Sequence, residues 1–255
     1  MKNEFSNKSK EYAIGRPSYP IEVLSAIREL GINEHSSLAD IGAGTGLLTN
    51  LLSELDCEVF AIEPNEHMLE ECKNYCGNNK NINFINSSAE GTALKEDSVD
   101  IITIAQAFHW FDKQLCKKEF QRILKEDGHV IILFNEMQLD SQIAKEYRSI
   151  LHKYKVKTNA GISDFDPDKE KVDFFGQDYT KLYYDNWHTL TEEGFVGGAL
   201  SLSYTPSKLD SSYEEFTAEL HHLFSKYQQN GIITFHYKTE VCICRFAKRQ
   251  KLTSS

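Results

Sequence analysis

The chain has 255 residues, 40% of them hydrophobic, and a formal net charge of -10. That length suits one sizeable α/β core, and the acidity excludes a broad basic surface for DNA or RNA, whose phosphates it would repel. The longest apolar runs fall far short of a membrane span and the polar start is unlike a signal peptide, so the expectation is a cytoplasmic protein acting on a small molecule, with no nucleic acid and no membrane partner.

Residues 1–11 are polar and lysine-rich. Tyr12 to Pro20 cannot be regular structure, because Pro17 and Pro20 each push the preceding residue toward extended conformations. A helix is predicted beyond Pro20, with Val23, Leu24, Ile27 and Leu30 on one face and Gly31 as its stop. Next comes the stretch around which the chain is organised, Ser37-Leu38-Ala39-Asp40-Ile41-Gly42-Ala43-Gly44-Thr45-Gly46-Leu47-Leu48. A short apolar run, an acid, three glycines and an amphipathic segment read as strand, turn and helix. Glycines suit a turn that a ligand approaches closely.

The spacing discriminates between cofactors. A nicotinamide fingerprint starting at Gly42 would need glycine at 47, where Leu47 stands, and no Gly-Lys-Ser/Thr follows for a phosphate loop. What remains, Asp40-x-Gly42-x-Gly44-x-Gly46, resembles the first motif of the class I S-adenosylmethionine-dependent methyltransferases, set against the plainer reading of an ordinary glycine-rich turn in an α/β protein. The resemblance implies a doubly wound, seven-stranded, mostly parallel sheet with helical lid insertions. It also implies S-adenosylmethionine as cofactor and methyl transfer to a small-molecule acceptor by in-line displacement. Such chemistry needs little acid-base help, so positioning supplies most of the acceleration.

On that reading a helix from Leu47 to Leu55 precedes a strand over 57–63. This strand ends in Glu63, placed at the tip of the neighbouring strand to accept the paired ribose hydroxyls. Pro64 and Asn65 open the next helix, with Met68 on its first turn near the adenine. After a third strand, Ile82 to Ile85, the segment Ser88-Ala89-Glu90 resembles the family's adenine loop. The apolar run from Val99 suits a central strand covered on both faces, and Gln106 and Ala107 follow it at the end where ligands sit in an open parallel sheet. The ending Ala107-Phe108-His109-Trp110-Phe111 is similar to the methyltransferases close to those acting on trans-aconitate. His109 is the candidate general base, the alternative being a histidine that only shapes the pocket. Tyr and Arg-Pro openings like that of residues 12–20 also occur in small-molecule members, which implies that Arg16 holds the methionyl carboxylate.

A helix from Leu115 to Lys125, a turn over Leu124 to His129 and a fifth strand, Val130 to Phe134, complete the nucleoside-binding half, taken as 37–136 after an arm and helix at 12–36. Residues 137–230 are expected to form the lid and acceptor region. Within it lie a helix over 139–154, an irregular acidic and aromatic segment from Gly161 to Asp178, and a helix started or interrupted at 193–198. Leu200 to Pro206 resembles the family's acceptor-side turn, and Ser212 to Gln229 is a helix with Phe216, Leu220, Leu223 and Phe224 inward. Residues 231–246 resemble the closing β-hairpin, and the basic tail after it reads as solvated. The six cysteines, 57, 72, 76, 116, 242 and 244, do not make a disulfide framework. Neither Cys72 and Cys76 nor Cys242 and Cys244 have zinc-site spacing, so no metal is expected. Two other functions remain open, an aminopropyl transferase and a non-catalytic protein that binds the nucleoside, and the oligomeric state is not readable.

Overall fold

The computed structural model describes residues 15–156, 167–176 and 178–246. The expectations placed on residues 1–14, on 161–166 and on the basic tail lie outside them. In chain order the elements are α1 (Glu22–Arg28), β1 (Ser37–Ile41), α2 (Leu47–Leu52), β2 (Glu58–Ile62), α3 (Glu66–Cys76), β3 (Ile82–Ile85) and β4 (Val99–Ala105). They continue as α4 (Lys113–Ile123), β5 (Leu124–Met137), α5 (Gln142–Lys153), α6 (Pro167–Phe175), β6 (Thr180–Leu190), α7 (Glu192–Leu200), α8 (Tyr213–Tyr227) and β7 (Ile233–Arg245). The seven strands form one sheet in the order β3-β2-β1-β4-β5-β7-β6. The pairs β1/β2, β1/β4, β2/β3 and β4/β5 are parallel. β7 runs antiparallel to β5, as the bonds from Gln138 N–H to His236 O and from Phe246 N–H to Gly128 O require. The sheet is thus mixed and mostly parallel, as expected.

The described residues divide into two compact units, one of 21–134, 167–176, 178–183 and 240–246, the other of 15–20, 135–156 and 184–239. The first holds the β-α repeats. β4 is buried along both faces because its apolar run is continuous, and Phe108, Phe120, Phe174, Phe175 and Phe246 join it in one core. Phe174 meets Phe108 edge-on at 5.0 Å between centroids and stacks on Phe246 at 5.5 Å. Asn65 caps α3 by accepting from His67 and Met68 N–H, and Asp112 caps α4 by accepting from Gln114 and Leu115 N–H. The second unit packs α5, α7 and α8 around Tyr147, Phe195 and Phe235. The i, i+4, i+7, i+8 spacing of Phe216, Leu220, Leu223 and Phe224 puts all four into that core.

Three expectations are corrected. The turn proposed at 124–129 belongs to β5, which runs unbroken to Met137 while its pairing with β4 shifts between Val99 and Ile101; the extra residues bulge and keep the strand going. The segment proposed as irregular contains α6 where it is described, since Phe174 and Phe175 gain more from core burial than from a loop. Its Lys171 is only 2% exposed and ion-pairs with Asp168 and Glu240, which outweigh burial and raise its pKa. The hairpin proposed at 231–246 is instead the single strand β7, whose middle, Lys238-Thr239, offers no turn-forming residue.

Candidate active site

The glycine turn is built from below. β1 ends in Asp40, buried to 1% exposure, whose Oδ2 accepts from the Thr49 hydroxyl at 2.6 Å and whose Oδ1 accepts from the Thr103 hydroxyl at 3.0 Å. One acid thereby ties β1 to α2 and β4. Burial pushes its pKa up to about 6, against the opposing pull of the two hydroxyl bonds. Gly46 sits at φ +90°, and a Cβ there would lie 2.7 Å from Cys72 Sγ, so only glycine lets the turn settle on α3. At Gly44, also left-handed at φ +59°, the nearest atom outside the loop to an added Cβ is Met68 Cε at 3.5 Å. A Cβ would thus be crowded at Gly46 and would meet only ordinary contacts at Gly44.

Glu63 closes the arrangement. One carboxylate oxygen accepts from Gly44 N–H at 3.0 Å and the other from Asn65 N–H at 2.9 Å, which fixes the acid against the turn. It is 7% exposed, and burial raises its pKa, the two peptide bonds opposing. A carboxylate has about four lone-pair positions, so two remain after these bonds. Asn86 donates to Glu63 O at 3.0 Å, which carries the segment after β3, with half-buried Ser88, buried Ala89 and half-buried Glu90, to the same strand end. Glu90 itself accepts from Asp112 N–H at 3.1 Å. Ala107 comes to the turn directly: a Cβ on Gly42 would meet Ala107 Cβ at 2.6 Å. Gln106, before it, takes φ +54°, an uncommon left-handed conformation for this residue type. His109 is half-buried with its ring 4.8 Å from that of Trp110, itself 41% exposed. Pro64 is exposed at the start of α3.

The structure therefore brings Asp40, the three glycines, Glu63, Met68 and Ala107 together, with Ser88 to Glu90 and Gln106 to His109 on adjoining strand ends. Arg16 lines a cavity of the second unit, as do Tyr147, Tyr204 and Tyr237. Sequence reasoning missed Thr49 and Thr103, the donors to Asp40, for which single threonines give no signal. It missed the Asn65 amide for the same reason, and it missed the cavity. One available signal was the i, i+4 spacing of Arg148 and His152, which places two basic side chains along one face of α5, with Lys155 just beyond its end. Among the described residues no group of His, Cys, Asp and Glu could hold a metal ion, and no helix is long and apolar enough to cross a membrane.

Strand order, glycine turn and acid at the neighbouring strand tip are those the resemblance to class I S-adenosylmethionine-dependent methyltransferases implies. Known proteins agree. Residues 39–132 match the family model described as a methyltransferase domain. A candidate methyltransferase of Dictyostelium discoideum is 35% identical over 51% of this chain and 48% of its own length. A Saccharomyces cerevisiae protein named a probable S-adenosylmethionine-dependent methyltransferase, CRG1, is 34% identical over 50% of this chain and 46% of its own. The chain spans about half the length of the curated relatives it matches. A solved candidate type II methyltransferase from Anaeromyxobacter dehalogenans shares the fold at TM-score 0.64 and 17% identity, covering 92% of this chain and 99% of that one. Residues 39–132 are thus similar to methyltransferase domains, and the fold is that of a solved methyltransferase structure.

Proposed function

We propose that the protein binds S-adenosylmethionine in the turn of Gly42, Gly44 and Gly46 and transfers its methyl group to a small-molecule acceptor. The observation that carries this reading is Glu63, locked by the amides of Gly44 and Asn65 beside the less crowded side of the turn, where its remaining lone pairs suit a pair of vicinal hydroxyls. Charge points the same way. Asp40 and Glu63 are both buried, and neither pairs with a cation among the described residues, so the local field is negative. A phosphate-bearing nucleotide would meet repulsion there, and a sulfonium is favoured. The chemistry the cofactor supplies when bound is an electrophilic methyl group on a positively charged sulfur.

In this reading Glu63 holds the ribose, Asp40 braces the turn through Thr49 and Thr103, and Met68 with Ser88, Ala89 and Glu90 borders the base. Gln106 and Ala107 border the reacting end, and His109 is placed to accept a proton from an acceptor that carries one. The test is calorimetric titration of S-adenosylmethionine into the wild type, Gly44→Val and Glu63→Ala, followed by incubation with methyl-labelled cofactor and a metabolite extract. The expected result is binding by the wild type, its loss in both variants, and label in a small product. Unchanged affinity in both variants would end the cofactor assignment. Binding without labelled product would leave a nucleoside-binding protein and end the enzymatic one. His109→Ala is expected to lower turnover more than cofactor affinity, and full turnover would reduce His109 to a wall of the site.

A further inference from the structure

The second unit contains a cavity of about 380 Å³, a size that admits a small metabolite. Its floor is set by two backbones in contact, since a Cβ on Gly198 would lie 2.7 Å from Gly15 O. The polar groups around it share one property. Arg16, Arg148, His152 and Lys155 line it together with three tyrosines, and no carboxylate is among the described lining residues. In a chain of net charge -10 that composition runs against the average. The neighbouring cations make the contrast sharper. On α5 itself Lys153 pairs with Glu219, and Glu146 receives Lys226 at 2.9 Å, so these two outward charges are neutralised within the unit. Arg148, His152 and Lys155, on the cavity side, meet no carboxylate among the described residues.

The tyrosines add donors. Burial raises the pKa of Tyr147 and Tyr204 and pushes that of Tyr237 up to about 12, with Arg16 opposing the shift in all three and Arg148 in the last two. Their hydroxyls thus keep their protons at neutral pH. Guanidinium, ammonium and phenol groups all offer hydrogen to a guest, whereas ionised carboxylates and phosphates only accept. Leu151, Leu202 and Met137 provide an apolar wall for a carbon skeleton.

We infer that this cavity is a binding site for a small organic polyanion, a molecule bearing two or more carboxylate or phosphate groups, held by Arg148 from α5, Lys155 just beyond its end, Arg16 from the opening arm and the tyrosine hydroxyls. The inference stands apart from the methyl-transfer reading, because it follows from the second unit alone.

Calorimetric titration of the full chain tests it with four probes: tricarballylate, 3-phosphoglycerate, the uncharged trimethyl ester of tricarballylate, and spermidine. At least one of the two anions is expected to bind, weakening as salt is raised, and the ester and spermidine are not. The anion that binds tells carboxylate from phosphate recognition. The paired variant Arg148→Ala/Lys155→Ala is expected to lose affinity by at least tenfold. Lys145→Ala, on the same helix but outside the lining, should bind as the wild type does. Retention of S-adenosylmethionine binding by the paired variant separates this site from the glycine turn and shows that the variant is folded. Absence of binding by both anions, equal affinity in wild type and paired variant, or equal binding of the ester would overturn the inference.

Discussion

The unit around the glycine turn and the unit around the tyrosine cavity handle their polar groups in opposite ways. In the first, two acids are buried and satisfied by neutral donors: hydroxyls at Asp40, peptide amides at Glu63. In the second, basic side chains border a cavity that has no carboxylate among its described lining residues. A buried acid held by neutral donors leaves a negative field, and a basic lining without acids leaves a positive one. Neither field serves folding, because a charge removed from water is stabilised best by an opposite charge. The difference teaches that the residual sign in each unit reports the charge of the guest, a cation at the turn and an anion in the cavity.

The largest expected effects come from the two glycines that set each floor. Gly46→Val forces a branched side chain into a left-handed turn and against Cys72, so strain and overpacking together should cost about 4 kcal/mol. Adding Cys72→Ala removes the thiol but leaves the φ of +90° and the Cys72 Cα at 3.3 Å, so rescue is partial. Gly198→Val meets the Gly15 backbone, which no side-chain trimming relieves. Thermal unfolding combined with both titrations separates the sites. Gly46→Val should lose S-adenosylmethionine and keep the polyanion, and Gly198→Val the reverse. Loss of both ligands in both variants would break the comparison.

A smaller effect, on the order of 3 kcal/mol at most, is expected from Asp40 and is visible only through pH. In the folded protein its proton is held until about pH 6, against 3.8 in the ordinary acid. Between those values the folded state binds more protons than the unfolded state, so stability falls as pH rises and levels off above both values. Asp40→Asn removes that slope. Urea unfolding should show the variant gaining on the wild type between pH 4 and pH 7.5, while its S-adenosylmethionine affinity at pH 7.5 drops because the negative field is weaker. A stability difference that stays constant across that range would mean that Asp40 is not held protonated by burial.

The same contrast explains what could be seen from the chain alone. β3 lies at Ile82–Ile85 as expected and the inward face of α8 is the expected one, because hydrophobic periodicity is a local signal. Spacing likewise put Gly42, Gly44, Gly46 and Glu63 in one place, since a strand, a tight turn and the next parallel strand fix the separation. What escaped depends on partners distant in sequence. The bulge after Leu124 is decided by β4, α6 forms where Phe174 finds Phe108 and Phe246, and β7 stays straight between β5 and β6. The cavity that Arg16 lines was not legible, because Tyr147, Tyr204 and Tyr237 come to it from three separate segments.

The smallest effects are the most discriminating, because they are matched. Asn65 caps α3 in the first unit by accepting from two amides, and Thr191 caps α7 in the second by accepting from Gly194 N–H at 3.4 Å. Replacing either by alanine should cost about 1 kcal/mol of stability, less at Thr191, whose single bond is long. The ligand consequences should differ. Asn65 also presents the amide that holds Glu63, so a frayed first turn of α3 lets that carboxylate wander, and Asn65→Ala should weaken S-adenosylmethionine several-fold. Asn65→Asp keeps the cap and should restore the affinity. Thr191→Ala loosens the helix that carries Gly198 and should leave the cofactor titration unchanged while weakening the polyanion. Equal effects of both alanine variants on S-adenosylmethionine would show that Asn65 acts only through global stability, and Glu63 would then need another reason for its place.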